Sequence, residues 1–420
     1  MKKPLHKHIS HHARRVHGQF TKYLYERDTI FASIWVFLFI VVLGSIPLNL
    51  GIMNPIKLGL KDFDFNDLSY SKLGKAQNTP IDNNIVIINI AHADREGLAL
   101  LIDKTASFEP KVMGLDVTFD GPRDPHKDSL LRETVNRNKN LVLAVKYQTD
   151  STDKLISAEN YFLTGSANFG YVNFPYEENE TVRGYFPFKS DDKDKSLILP
   201  SFSSTLIRLF DTIVYKRISK KINKNVIINY ARTVTDRKKQ YLIIEGEDLL
   251  MDNIDSSAIT GKIALLAYVN IDPNDIEDKK FTPMNKKFAG KSTPDMNGIM
   301  VHANIISMVI EDNYVKKLPL WAHLLISVIV CWLFMSFFIR YYLESHIWFH
   351  LVAKIAQVLS AIFFVWLGIY LFDKYRLKVD LKLSLIVIVM AVDVIYFYEA
   401  WAVWMHKKYK YHTVFKPHNH

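Results

Sequence analysis

Four apolar segments, from about Ile30 to Leu50, Leu318 to Ile339, Ile347 to Leu371 and Leu381 to Trp404, constrain this 420-residue chain more than anything else in it. Each holds about 20 residues or more. At about 1.5 Å of rise per residue, such a helix crosses a hydrocarbon core of about 30 Å. The expected fold is therefore a membrane protein with four transmembrane α-helices and one extracytoplasmic mixed α/β domain. The expected boundaries are a basic tail at 1–28, a first helix at 29–50, the domain at 51–316, three helices at 318–339, 347–371 and 381–404, and a basic tail at 405–420.

Lys and Arg set the orientation. Seven of them (Lys2, Lys3, Lys7, Arg14, Arg15, Lys22, Arg27) precede the first span, and Lys407, Lys408, Lys410 and Lys416 follow the last without an acid. Positive residues stay inside, so both termini are expected in the cytoplasm and the large domain outside it. The loop with Lys374, Arg376 and Lys378 opposes this and is outweighed by the two tails. The first segment reads as an uncleaved anchor. Its apolar run exceeds the usual 7 to 15 residues of a signal peptide, and Pro47, Leu48 and Asn49 follow it without a small-residue cleavage site.

The net charge of +10 does not point to nucleic acid. From Gly51 to Lys316 there are 35 Lys plus Arg against 36 Asp plus Glu, so the domain is near neutral and the excess lies in the tails and loops, where it attracts anionic lipid. The single cysteine, Cys331, is inside the second span, so no intrachain disulfide forms and the domain must be held by its own core. A bacterial periplasm suits a cysteine-free outer domain, which makes the inner membrane the expected location.

Within the domain, Ile85–Ile90, Lys111–Val117 and Leu141–Val145 read as strands, with helical spacing over Glu96–Ser107 and Asp128–Asn138 between them. That alternation predicts parallel pairing with crossover helices. Gly170–Phe174 and Gly184–Phe188 read as a strand pair around a turn, and Ser201–Phe210 as a helix. Val226–Tyr230, Tyr241–Glu245 and Lys262–Val269 read as further strands, before a helix over Gly298–Glu311.

Several of these stretches resemble one family. Val112-Met113-Gly114-Leu115-Asp116-Val117-Thr118-Phe119, Gly170-Tyr171-Val172-Asn173 with Val182-Arg183, Gly261-Lys262-Ile263-Ala264-Leu265-Leu266, Thr282-Pro283 and Gly298-Ile299-Met300-Val301-His302-Ala303-Asn304 look like the successive signatures of CHASE2 domains. The resemblance covers some 350 residues. It implies an extracytoplasmic bacterial sensory module with one span before it and three after. Where many members carry a Trp-Pro-Trp-Arg-like element, this chain has Ala91-His92-Ala93-Asp94-Arg95. Members commonly continue into a kinase or cyclase domain, for which the roughly 15 residues after the last span leave no room, so the expected output lies on another polypeptide.

The candidate ligand-binding residues are Asp116, Asp120, Arg183 and His302. Asp116 and Asp120 lie at the carboxyl end of a predicted strand, where open α/β sheets bind ligands; a loop-fixing carboxylate reads the same way. Arg183 sits beside Glu177, Glu178 and Glu180, as an anion fork or as an exposed ion pair. His302 lies on the helix leading to the second span and is equally a packing residue. Asp124 to Asp128 offers metal-ligand types but reads better as a capped loop, and no metal or other cofactor is expected. The terminal histidines read as disordered ends. Inside the membrane, Lys354, Asp393 and Glu399 are polar-pair candidates, since a charge at depth costs about 2.5 to 3.5 kcal/mol and usually finds a partner.

No Gly-rich phosphate loop, Gly-x-Ser-x-Gly elbow, His-Glu-x-x-His pair or outer cysteine nucleophile is present, so an enzyme is not expected. Four spans without a repeated half disfavour a transporter. Two readings remain: a sensor subunit that signals through a partner chain, and an accessory subunit of an envelope complex whose outer domain is a docking surface. The expected partners are the lipid bilayer and another membrane or periplasmic protein. A homo-oligomer stays open, although no Gly-x-x-x-Gly seam supports one.

Overall fold

The structure, a computed structural model, describes residues 22–45, 67–70, 79–149, 155–163, 165, 167–175, 181–190, 198–235, 238–285, 293–344 and 346–415. In chain order the main elements are α1 (Arg27–Ser45), β1 (Ile85–Asn89), α2 (Arg95–Ser107), β2 (Val112–Leu115), α3 (Pro125–Arg137), β3 (Leu141–Thr149), β4 (Leu155–Glu159), β5 (Asn168–Tyr171), α4 (Phe202–Phe210), β6 (Leu242–Glu245), β7 (Ile263–Ala267), α5 (Gly298–Ile310), α6 (Leu320–Glu344), α7 (His346–Tyr375) and α8 (Lys382–Tyr409). The chain divides into two compact units: 56–315, and 1–55 together with 316–420.

The first unit is built on a parallel sheet in the order β6-β1-β7-β2-β3-β5, with β4 antiparallel to the second half of β3. Parallel pairing of β-branched, turn-bounded runs is what the sequence predicts. The order is not: β1 and β2 are not neighbours, because β7, from about 150 residues further along, inserts between them. One register row runs Ile87, Leu265, Gly114, Val142, Asn168. Buried Val86, Ile88, Met113, Leu115, Leu141, Leu143, Ala264 and Leu266 pack on Leu98, Leu101 and Ile102 of α2 and Leu131 and Val135 of α3. Each such side chain contributes about 1.5 to 3 kcal/mol on burial.

The opposite face carries α4, and two glycines let it approach. A Cβ on Gly170 would fall 2.5 Å from the Phe202 backbone, and one on Gly114 would fall 2.7 Å from the Phe202 ring. The expected pairing of Gly170–Phe174 with Gly184–Phe188 does not occur. Gly170 belongs to β5 and pairs with β3, while Gly184–Tyr185 pairs with Val226–Ile227 outside the sheet. The close approach of α4 holds Gly170 to the sheet.

Buried Arg95 and Arg232 of this unit are both matched by carboxylates. Arg95 of α2 bonds Asp128 of α3 and the Gly121 carbonyl, and its guanidinium lies 5.2 Å from the Phe162 ring. Arg232 pairs with Asp82 at 3.4 Å and with Glu311, and Asp82 also accepts from Ser307 of α5. Asn304 of α5 accepts from Ala231 and Arg232 N–H and donates to the Arg232 and Met300 carbonyls, closing an otherwise unpaired stretch of backbone.

The second unit contains four helices long and apolar enough to cross a membrane. The helices pack through large apolar side chains such as Phe338, Ile339, Phe349, Ile388 and Ile395, with small and hydroxylated residues among them: Ser327 meets Ser384 at 3.0 Å, Ala32 and Ser33 of α1 are buried, and Cys331 lies 3.9 Å from the Ser33 carbonyl. About half of the apolar window of α6 is buried (50%) and nearly as much of α8 (44%), but only 11% of that of α7, so α7 is peripheral. The Lys374–Lys378 loop is tied down: Leu377–Lys378 pairs with Lys316–Lys317, and Lys316 N–H donates to the Arg376 carbonyl at 2.8 Å.

One expectation fails in this unit. The last helix continues to Tyr409, and Tyr411–Phe415 folds back instead of being disordered, because Asp28 accepts from Tyr398 Oη (2.7 Å), Thr413 Oγ1 (2.9 Å) and Val414 N–H (2.6 Å) while Phe415 is buried. Lys354 forms no ion pair with Asp393 or Glu399 among the described residues. Glu399 accepts instead from Tyr342 of α6, and Lys354 and Asp393 are both exposed, since each lies outside the packed face of its helix. His6, His8, His11, His12, His17, His418 and His420 lie outside the described residues.

Candidate functional site

The carboxyl ends of β1, β2, β3, β5 and β7 open on a cavity of about 580 Å³. Its polar lining comes from Asp116 just past β2, Lys146 in β3, Asn173 just past β5, Tyr268 just past β7, the Asp278–Lys280 turn and His302 of α5. This is the edge at which parallel sheets bind ligands, because the loops there diverge and the strand ends stop short of one another.

Asp116 makes no hydrogen bond or ion pair through its side chain with any described residue, although it is half-buried. Burial, and secondarily the Asp278 carboxylate, push its carboxyl up to about 7, against the pull of Lys280 and Lys146. His302 is buried between the rings of Phe174 (4.7 Å) and Phe202 (5.3 Å), so the two sheet glycines that admit Phe202 also place this imidazole. Ser203 Oγ lies 3.0 Å from Nδ1, and Nε2 has no hydrogen-bond partner among the described residues. Burial, and then Lys280, hold the ring down at about 3, so it is a neutral hydrogen-bonding group at physiological pH.

The remaining polar groups fix the walls. Asn173 bridges to the Tyr147 backbone, accepting at 3.0 Å and donating at 3.2 Å. Tyr268 donates to Asp275 at 2.9 Å and stacks near His92, ring centres 5.0 Å apart. Lys280 pairs with Asp278 at 3.3 Å. Thr282, next along, bonds Asp295 through N–H and hydroxyl, and burial pushes the Asp295 carboxyl up to about 7. The arrangement can bind a small polar molecule by presenting an unmatched carboxyl, a neutral imidazole and rim lysines in one space.

Of the four candidates, the cavity brings together Asp116 and His302. Asp120 is exposed and does not line it, because the chain turns away after Phe119 packs on Phe162. Arg183 is buried, not exposed as the ion-pair reading has it, and does not line the cavity; its acidic neighbours Glu177, Glu178 and Glu180 lie outside the described residues. Asp124 caps α3 by accepting from His126 and Lys127 N–H, and Asp128 holds Arg95, so both carboxylates of that run are engaged. Among the described residues no His, Cys, Asp and Glu cluster of metal-binding form occurs. Sequence reasoning missed Lys146 and Lys280, and reached Asp278 only through the family's pattern before Thr282-Pro283. Lys146 was within reach of the strand-end rule that found Asp116; Lys280 sits in a turn whose direction the letters do not show.

Geometry first defines a class: an α/β domain with a ligand-sized cavity at its carboxyl edge, on a chain with four membrane-length helices. More narrowly, this chain belongs to the CHASE2 domain family, whose sequence model matches residues 38–338, from within α1 to within α6. CHASE2 is a family of sensory domains. No curated protein and no solved structure matches the chain.

Proposed function

We propose that this protein is a transmembrane sensor subunit of a bacterial inner membrane, with both described ends of the bundle toward the cytoplasm and the α/β domain in the periplasm. It binds a small polar molecule in the cavity of Asp116 and His302 and passes the signal to a partner polypeptide; it is a receptor and not a catalyst. The observation that carries this reading is the unmatched Asp116 carboxyl in a cavity of about 580 Å³ at the carboxyl edge of a parallel sheet. Membership of a sensory family and the basic tails support it. Such a ligand transmits only the difference between its affinities for two arrangements of the protein.

The test is thermal unfolding of the full chain in mild detergent against a panel of periplasmic small molecules, with mass spectrometry of whatever small molecule copurifies. A ligand at 100 times its Kd adds about 2.7 kcal/mol, and Asp116→Asn is expected to weaken that gain. If a stoichiometric protein partner copurifies and no small molecule stabilises the chain, the docking reading replaces this one. One observation favours docking as a second reading: β6 is a sheet-edge strand with Leu242 exposed beside a further cavity of about 780 Å³. Protease added to intact spheroplasts tests the orientation; sparing of the domain with clipping of either terminus overturns it.

A further inference from the structure

We propose that two copies of this chain associate in the membrane through the open edge between α7 and α8, with Lys354 of each copy meeting Asp393 of the other. The inference rests on the four helices crossing a bilayer, not on what the α/β domain binds. Within one copy, two contacts fix the register of these antiparallel helices. His350 Nε2 lies 2.9 Å from Tyr396 Oη, and Gln357 Nε2 donates to the Val389 carbonyl at 3.2 Å. Lys354 falls between His350 and Gln357, and Asp393 falls between Val389 and Tyr396. The two opposite charges therefore lie at one depth, and both are exposed.

Equal depth is the property a symmetric pair requires. A two-fold axis along the membrane normal preserves depth, so it can bring Lys354 of one copy to Asp393 of the other only if the two are level, and it then makes the contact twice. Facing lipid instead, Asp393 is too short to reach the headgroups as a lysine can. The surface around it is a single exposed stripe on the otherwise packed α8, Ile386, Val389, Asp393, Phe397, Ala400 and Trp404, at helical spacing. Beside it α7 is the least buried of the four helices. Charge complementarity, level register and an apolar stripe all suit a second copy of the same edge.

The decisive experiment uses single charge reversals of the full chain, carried on two different affinity tags in one cell. Chains with Lys354→Asp have two acids on the edge and chains with Asp393→Lys have two lysines. Each is expected to lose self-association at least tenfold, while the two co-expressed variants recover the wild-type yield of mixed-tag dimer, because both contacts are then attractive. An intrachain pair predicts no such cross-rescue. As a check that survives poor insertion of the reversals, Lys354→Cys on one tag and Asp393→Cys on the other, in a Cys331→Ala background, are expected to form a mixed-tag disulfide on oxidation. Ile362→Cys, about 12 Å away in depth, is expected not to form one with Asp393→Cys. A monomeric wild type in lipid nanodiscs, reversals that self-associate as the wild type does, or a cross-link indifferent to depth would overturn the proposal. Release of the wild-type chain from membranes by alkaline carbonate would instead overturn the membrane reading beneath it.

Discussion

Buried Arg232 in the α/β unit is met by opposite charge, from Asp82 and Glu311, whereas buried Asp28 in the helical unit is met by hydroxyls and a backbone N–H, from Tyr398, Thr413 and Val414. The difference has a mechanical consequence. An ion pair fails as a whole when one member is removed, because the other is left buried and unpaired. A carboxylate shared among several neutral donors loses them one at a time. Asp116 in the cavity and the Lys354/Asp393 edge on the bundle have no charge partner among the described residues, and those are places where a ligand or a second chain has something to add.

The largest expected effect is Arg232→Met in the α/β unit, which strands Asp82 and should cost about 3 to 5 kcal/mol in denaturant unfolding of the full chain. In the helical unit, Asp28→Ala should cost about 2 kcal/mol and free Tyr411–Phe415 for proteolysis, and Tyr398→Phe, which removes one donor of several, about 1 kcal/mol. If Tyr398→Phe proves as damaging as Arg232→Met, the contrast between the units is wrong.

The pH dependence sharpens the picture of the cavity. Asp116 is held up near 7 from its ordinary 3.8, so its contribution to stability is fully present below about pH 4 and lost as pH rises through 7. His302 is held down near 3 from 6.5, so its contribution is present above about pH 6.5 and lost as pH falls through 3. Between about pH 4 and 6.5 the two oppose each other, each unit of pKa difference being worth about 1.4 kcal/mol. Asp116→Asn should therefore flatten the loss toward pH 7 and steepen the loss in acid, and His302→Gln should do the reverse, both read by unfolding midpoints from pH 3 to 8. The smallest effect is expected at exposed Asp120: its change to Ala should move stability by less than about 0.5 kcal/mol and leave ligand stabilisation unchanged.

Much of the α/β unit was legible because its signals are local. The β-branched run at Ile85–Asn89, the apolar run ending at Asp116 and the strand at Leu141–Val145 announce themselves by composition and by the turns that bound them. The place of β7 between β1 and β2 was not, since a parallel strand carries no mark of its neighbours. Asp116 and Asp120 look equivalent in sequence, four residues apart; packing of Phe119 on Phe162 turns one toward the cavity and the other to solvent. His302 stood out on its helix, but only Phe174, Phe202 and Ser203 make it a neutral wall of the cavity.

The sequence by itself determined the four membrane-length segments, the division into bundle and domain, and the parallel α/β class, because apolar length and periodicity are summed over adjacent residues. Only the tertiary structure decided which carboxyl faces a cavity, which ion pairs close, that the end of the last helix folds back onto Asp28, and that Lys354 and Asp393 lie level yet unpaired. Those depend on residues tens or hundreds of positions apart meeting at distances of a few ångströms, and nothing in the order of the letters fixes such a meeting until the core has been packed.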